Sequence, residues 1–199
     1  MRAPVQHYRS EGDARLIEIG LKSISQLFNS LDPSPFHQKD LDADAEDYIV
    51  GAAREIPPHA PLKLVLFLPP DHFEQPGTTD LERSIQNYFE YRRVMAARDL
   101  RYLFRLGRRS LAIGIAFLAA CLTLRQLAPV VLPPPFDHVA AEGLLIAGWV
   151  AMWRPIQTFL YDWWPLRSTV RVYAKLAAAP VEARPDTSRP SDAGINLGD

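Results

Sequence analysis

Three aspartates at alternate positions, Asp40, Asp42 and Asp44, are the first residues whose spacing suggests chemistry, because carboxylates so arranged open a calcium-binding loop. That loop also needs glycine at its sixth position and glutamate at its twelfth, where this chain has Ala45 and Gly51. The triplet reads instead as the acidic start of a helix, matched to the helix dipole. His37 is the nearest further ligand for a weak divalent site. The histidines at 7, 37, 59, 72 and 138 form no His-x-His or His-Glu-x-x-His pair, so metal spacing is absent. A lone Cys121 excludes an internal disulfide framework and a multi-cysteine zinc site.

Asp71-His72 follows the apolar run LKLVLFL. An acid–histidine pair at the carboxyl end of a parallel strand is the best candidate for general acid–base work, with an ordinary polar loop as the alternative. Ser30, Ser34 and Ser84 stand in no nucleophile-elbow pattern. Gly77-Thr78-Thr79-Asp80 opens a helix, where anions bind, but Asp80 and Glu82 oppose an anion there and capping explains the residues better. No catalytic, cofactor-binding or metal residue is therefore assigned, and no cofactor is expected. A net charge of −1 argues against a dedicated nucleic-acid binder.

The elements around these residues are more informative. With 199 residues, 48% of them hydrophobic and 10% aromatic, the chain is not wholly disordered. A near-zero mean hydropathy hides a sharp division along it. Ser110 to Leu124 carries no charge, and with Arg125 snorkelling near one end the apolar helix over 110–130 reaches bilayer length. A second stretch, 139–161, reaches that length around the charge-free centre Gly143 to Trp153, with Arg154 near its end. A buried helical hairpin in a soluble core is the alternative. Gly114, Gly143 and Gly148 within apolar helix favour the bilayer, as do the tryptophans at 149, 153, 163 and 164 crowding one end. Cys121 reads as a small packing residue.

Charge asymmetry sets the orientation. Arg92, Arg93, Arg98, Arg101, Arg105, Arg108 and Arg109 precede the first span, and Arg167, Arg171 and Lys175 follow the second. From Gln126 to Glu142 there is no Lys or Arg, only Asp137 and Glu142. Basic flanks stay cytoplasmic, so both termini are expected in the cytoplasm and the turn at 131–138 outside. The first 30 residues lack a basic-then-apolar export signal, so no cleaved signal is expected.

The expected fold is an α+β membrane protein. A small cytoplasmic α/β unit, of two or three strands and one crossover helix, is joined by a long helix to a two-helix transmembrane hairpin. Residues 1–14 read as a flexible N-terminus and 15–78 as the α/β unit. A strand is predicted over Arg15 to Ser23, and a helix from an Asp40 cap over Leu41 to about Glu55 with an apolar face of Leu41, Ala45, Tyr48, Ile49, Ala52 and Ile56. Leu62 to Leu68 is a buried strand. A helical stalk occupies 79–109, with Gly107 as its soft point and Leu81, Ile85, Tyr88, Phe89, Ala96, Leu100 and Leu103 as its apolar stripe. After the hairpin, 162–184 forms a return helix and a short strand at Pro180 to Arg184, and 185–199 is a disordered tail.

FNSLDPSPFHQKDLDADAEDYIVGAARE and FLYDWWPLRSTVRVYAKLAAAPVE resemble segments of an uncharacterised bacterial two-span inner-membrane protein family. The resemblance implies bacterial inner-membrane location and an ordered segment near Val181, but no activity and no catalytic residue. Ser168-Thr169 stands where that family is expected to be more basic. The function expected is a non-enzymatic, membrane-anchored interaction or accessory module. The alternative is a small membrane-bound enzyme or ligand-binding domain using the loop after Leu68. The partners expected are the lipid bilayer, anionic lipid headgroups, and a protein or a second copy of the chain, without nucleic acid.

Overall fold

Residues 8–30, 32, 39–70 and 78–186 are described by a computed structural model. Asp71, His72, His7 and His37 lie outside the described residues, as do the side chains of Thr78 and Thr79. The fold is mixed α/β. Two compact units divide the chain, Met1–Val94 with Val170–Asp199, and Met95–Thr169. The boundary at Val94 falls inside the stretch expected as a stalk.

The first unit is built on a sheet in which β1 (Ser10–Glu11), β2 (Ala14–Gly20), β3 (Leu62–Leu68) and β4 (Val181–Pro185) lie in that order. β1 and β2 are antiparallel, and the chain turns between them at Gly12, whose φ of 61° suits glycine best. The first 14 residues therefore include a strand, Ser10–Glu11, where the sequence predicts only flexible chain. β2 stops at Gly20 rather than continuing to Ser23. Residues after it form a 3-10 turn, Ile24–Leu27, and Phe28 bridges to Leu41.

That bridge moves the start of the next helix. Asn29 N–H donates to the Asp40 carbonyl at 2.8 Å, and Asp42 N–H to the Leu27 carbonyl at 2.9 Å. Residues 40–42 are thereby held extended, so the cap is Asp42 and not Asp40. The Asp42 carboxylate accepts from Asp44 N–H at 3.0 Å, and α1 runs Ala43–Glu55. Its buried face is Ile49, Val50, Ala52, Ala53 and, at its end, Ile56. Tyr48, expected on that face, is half exposed and reaches the Glu18 carbonyl with its hydroxyl.

β3 is parallel to β2, pairing Leu64 with Ile17, so strand, helix and strand form the expected crossover. Leu64, Val65 and Leu66 are consecutive and all fully buried, which requires cover on both faces of the sheet at this strand. β4 is parallel to β3, pairing Val181 with Leu64. Among the described residues the sheet thus has four strands where two or three were predicted, and Pro185 belongs to a strand rather than to the tail. β4 carries Glu182, Arg184 and a terminal Pro185, features that blunt an edge against further pairing.

α2 runs Thr78–Val131 without a break at Gly107. Leu81, Ile85, Tyr88, Phe89 and Ala96 of its predicted stripe are buried, while Leu100 and Leu103 are only half buried. α3, Phe136–Gln157, begins earlier than predicted, since Pro135 already serves as its N-cap. A π-helical turn, Thr158–Asp162, leads into α4, Trp163–Ala177, which continues through Pro165 as the return helix. In the first unit α4 contributes buried Tyr173 and Leu176.

Within Met95–Thr169 the helices pack through small residues. A Cβ on Gly148 would stand 2.7 Å from Leu118 Cδ1 and 3.3 Å from Cys121 Cβ. On Gly107 it would meet Thr158 Cγ2 at 2.9 Å, so Gly107 is a packing point and not a soft one. Gly143 faces open space. Large apolar side chains point away from the protein instead: Ile113, Val130, Val139, Ile146 and Trp153 are all exposed. Among the described residues two helices are long and apolar enough to cross a membrane, and only 17% and 11% of their most apolar stretches are buried within the protein.

Candidate functional site

Glu46 is the polar centre of the first unit. It lies in the first turn of α1 and keeps its side chain 13% exposed. Its Oε2 accepts the Tyr88 hydroxyl at 2.7 Å, and its Oε1 accepts the Tyr173 hydroxyl at 3.0 Å and the Arg92 Nη2 at 2.7 Å. Arg92 also donates to Tyr173 Oη at 3.1 Å and lies over the rings of Tyr88 and Tyr173, at 6.0 and 5.5 Å from their centroids. Burial pushes the Tyr88 phenol well up, and the Glu46 carboxylate adds to the shift. These four residues tie α1, α2 and α4 together. Tyr88 and Arg92 share a helix face, but Tyr173 is 81 residues beyond Arg92, and no local pattern announces their meeting.

A second set crosses one face of the sheet. Glu11 on β1 accepts from Lys63 on β3 at 3.2 Å and from Arg184 on β4 at 2.7 Å. Glu182 accepts from Arg184 and pairs with Lys63. Hydrogen bonds from Arg184 and then Lys63 pull the Glu182 carboxyl down to about 2. The side chains are partly exposed and solvent-screened, so the set aligns strands more than it stabilises them.

The third feature lies in the second unit. Arg98, Arg101, Arg105 and Arg108 recur at spacings of three and four on α2, with Phe104 among them, and line a shallow cavity of about 500 Å³. Phe104 contacts Phe159 and Trp163 at centroid distances of 6.3 and 6.5 Å. Arg167 stacks on Trp163 at 5.5 Å, and the Trp163 indole donates to the Phe159 carbonyl at 2.9 Å.

The other sequence candidates are dispersed. Asp40 N–H donates to Asp32, Asp42 caps α1, and no group of three or more His, Cys, Asp or Glu could hold a metal among the described residues. Asp71-His72 lies outside those residues. Arg125 and Arg154 are exposed, on α2 and α3. Cys121 is buried against Gly148. The Asp137 Oδ1 is buried without a hydrogen-bond partner among the described residues, near the start of α3. Searches against family models, curated proteins and solved structures found no match to the chain.

Proposed function

We propose that this chain is an integral protein of the bacterial inner membrane, a two-span anchor carrying a cytoplasmic α/β unit that serves as a non-enzymatic interaction or accessory module. The observation that carries this reading is the reversed polarity of the second unit. Glycines and Cys121 fill its helix contacts, whereas Ile113, Val130, Ile146 and Trp153 face outward. In water that arrangement exposes apolar surface at a cost of about 25 cal/mol per Å². In lipid it is the ordinary arrangement, since helices there associate through close packing of small residues.

The orientation follows from the arginines before Ser110 and after Trp164, against their absence from Gln126 to Glu142. Both termini then lie in the cytoplasm. An interaction role is supported by how the first unit uses its polar groups. Glu46, Tyr88, Arg92 and Tyr173 bond one another, as do Glu11, Lys63, Glu182 and Arg184. Met95, Tyr102 and Leu106 form an exposed apolar stripe on α2, available to a protein partner or a second copy. The β4 edge is the poorer partner surface, because its charges and Pro185 oppose strand addition.

Fractionation of lysed cells tests the membrane reading. The full-length chain is expected in the ultracentrifuge pellet, resistant to carbonate and released by detergent. A folded, monodisperse protein in the detergent-free supernatant overturns it.

A further inference from the structure

We propose that the arginine face of Arg98, Arg101, Arg105 and Arg108 is a binding site for the phosphodiester headgroup of an anionic phospholipid. The inference rests on the membrane reading and adds the ligand. Four guanidinium groups share one face of a single helix around a cavity of about 500 Å³. Among the described residues none of the four is ion-paired, in contrast to Arg92, Arg93 and Arg184. Among the described residues Arg98 donates only to Met95 Sδ at 3.7 Å and Arg101 to the Ala97 carbonyl at 3.2 Å, which leaves most of their donors unused there. Such a cluster in isolation repels itself, and a phosphate oxygen pair is the group that guanidinium forks match.

Position selects lipid over a free anion. Arg108 lies two residues before Ser110, where the charge-free run begins, so the Arg105–Arg108 end of the face meets the level of the headgroups. Phe104 lies in the cavity and contacts Trp163, whose neighbour Trp164 is exposed. Aromatic rings beside arginines are what a membrane interface holds. A lipid offers this site an occupant, its phosphate to the arginines at the membrane surface while its acyl chains continue past Arg108 along the apolar run that begins at Ser110.

The test uses the full-length protein in detergent, with bound lipid counted by native mass spectrometry during titration with phosphatidylglycerol or phosphatidylcholine. Phosphatidylglycerol is expected to be retained more tightly, and the quadruple variant Arg98→Gln, Arg101→Gln, Arg105→Gln, Arg108→Gln to lower its affinity by up to about a thousandfold. Arg54→Gln with Arg83→Gln, exposed and distant in sequence, is expected to change nothing. If the glutamine variant does not insert, the fourfold Arg→Lys variant keeps the charge, and a loss of about tenfold supports guanidinium–phosphate pairing. Equal retention of the two lipids by the embedded wild-type protein overturns the site while leaving the membrane reading intact. Tighter binding of inorganic phosphate, or of a short single-stranded oligonucleotide, at the same arginines also overturns it.

Discussion

Gly114 lies so close to Ala151 that a Cβ at position 114 would stand 3.3 Å from the Ala151 carbonyl oxygen. That carbonyl has no helical donor four residues on, because Pro155 carries no N–H. The same added Cβ would be 3.1 Å from Met152 Sδ and 3.6 Å from Pro155 Cγ. The close approach of the two helices and the proline irregularity thus occupy one place in the hairpin.

Gly114→Leu and Gly148→Leu are each expected to destabilise the hairpin by roughly 1–3 kcal/mol, because neither site has room for a side chain. Gly143→Ala, with nothing within 4 Å of the added carbon, is expected to be neutral or to stabilise its helix by up to about 1 kcal/mol. Thermal unfolding of the three variants in one detergent separates them. Equal behaviour of Gly143 and Gly148 would contradict the packing described.

Glu46→Ala removes the acceptor shared by Tyr88, Tyr173 and Arg92, and is expected to cost about 2–3 kcal/mol. Tyr88→Phe removes one of the three bonds and is expected to cost about 1 kcal/mol. Combined with Glu46→Ala, Tyr88→Phe should add little, because its hydroxyl has already lost its partner. A double-mutant cycle on the denaturant midpoint of the full chain reads this coupling.

Stability should fall on the acid side. The Glu182 carboxyl is lowered from 4.5 to about 2 in the folded protein, and Glu11 is shifted in the same direction by Arg184 and Lys63. Depressed carboxyl values contribute stability above the unfolded value, and that contribution is lost as pH falls from about 4.5 through about 2. Glu182→Gln should flatten this limb, and high salt should weaken it in the wild type. On the alkaline side the sign reverses. Burial and then Glu55 raise the Tyr8 phenol from 10.0 to about 12, so its contribution is present below pH 10 and lost as pH rises through 12. Thermal midpoints across the pH range check both limbs.

Topology is open to direct labelling. In a Cys121→Ala background, His138→Cys is expected to react with a membrane-impermeant maleimide added to intact spheroplasts, and Ser168→Cys only after lysis. Both positions are exposed in the protein, so the difference reports sidedness and not burial. The opposite pattern would invert the orientation.

Much of the organisation was legible in the one-dimensional pattern. LKLVLFL is too short to span a bilayer and too apolar for an exposed strand, so a buried strand is the remaining solution. The two charge-free stretches stand out for the same reason: local composition alone decides whether a segment can tolerate lipid. Arginine spacing and its absence between Gln126 and Glu142 are equally local facts.

Tertiary contact decided the rest. The Asp42 cap depends on bonds from residues 40–42 to 27–29, which no helix signal encodes. Glu46 is in sequence only one more acid near a helix start, until folding brings Tyr88, Arg92 and Tyr173 to it from two other helices. Gly107, Gly114 and Gly143 look alike in sequence, yet only the first two face a neighbour. Periodicity and charge act within a few residues along the chain and are therefore readable there, whereas the partner of a side chain is set by which distant surface arrives at it.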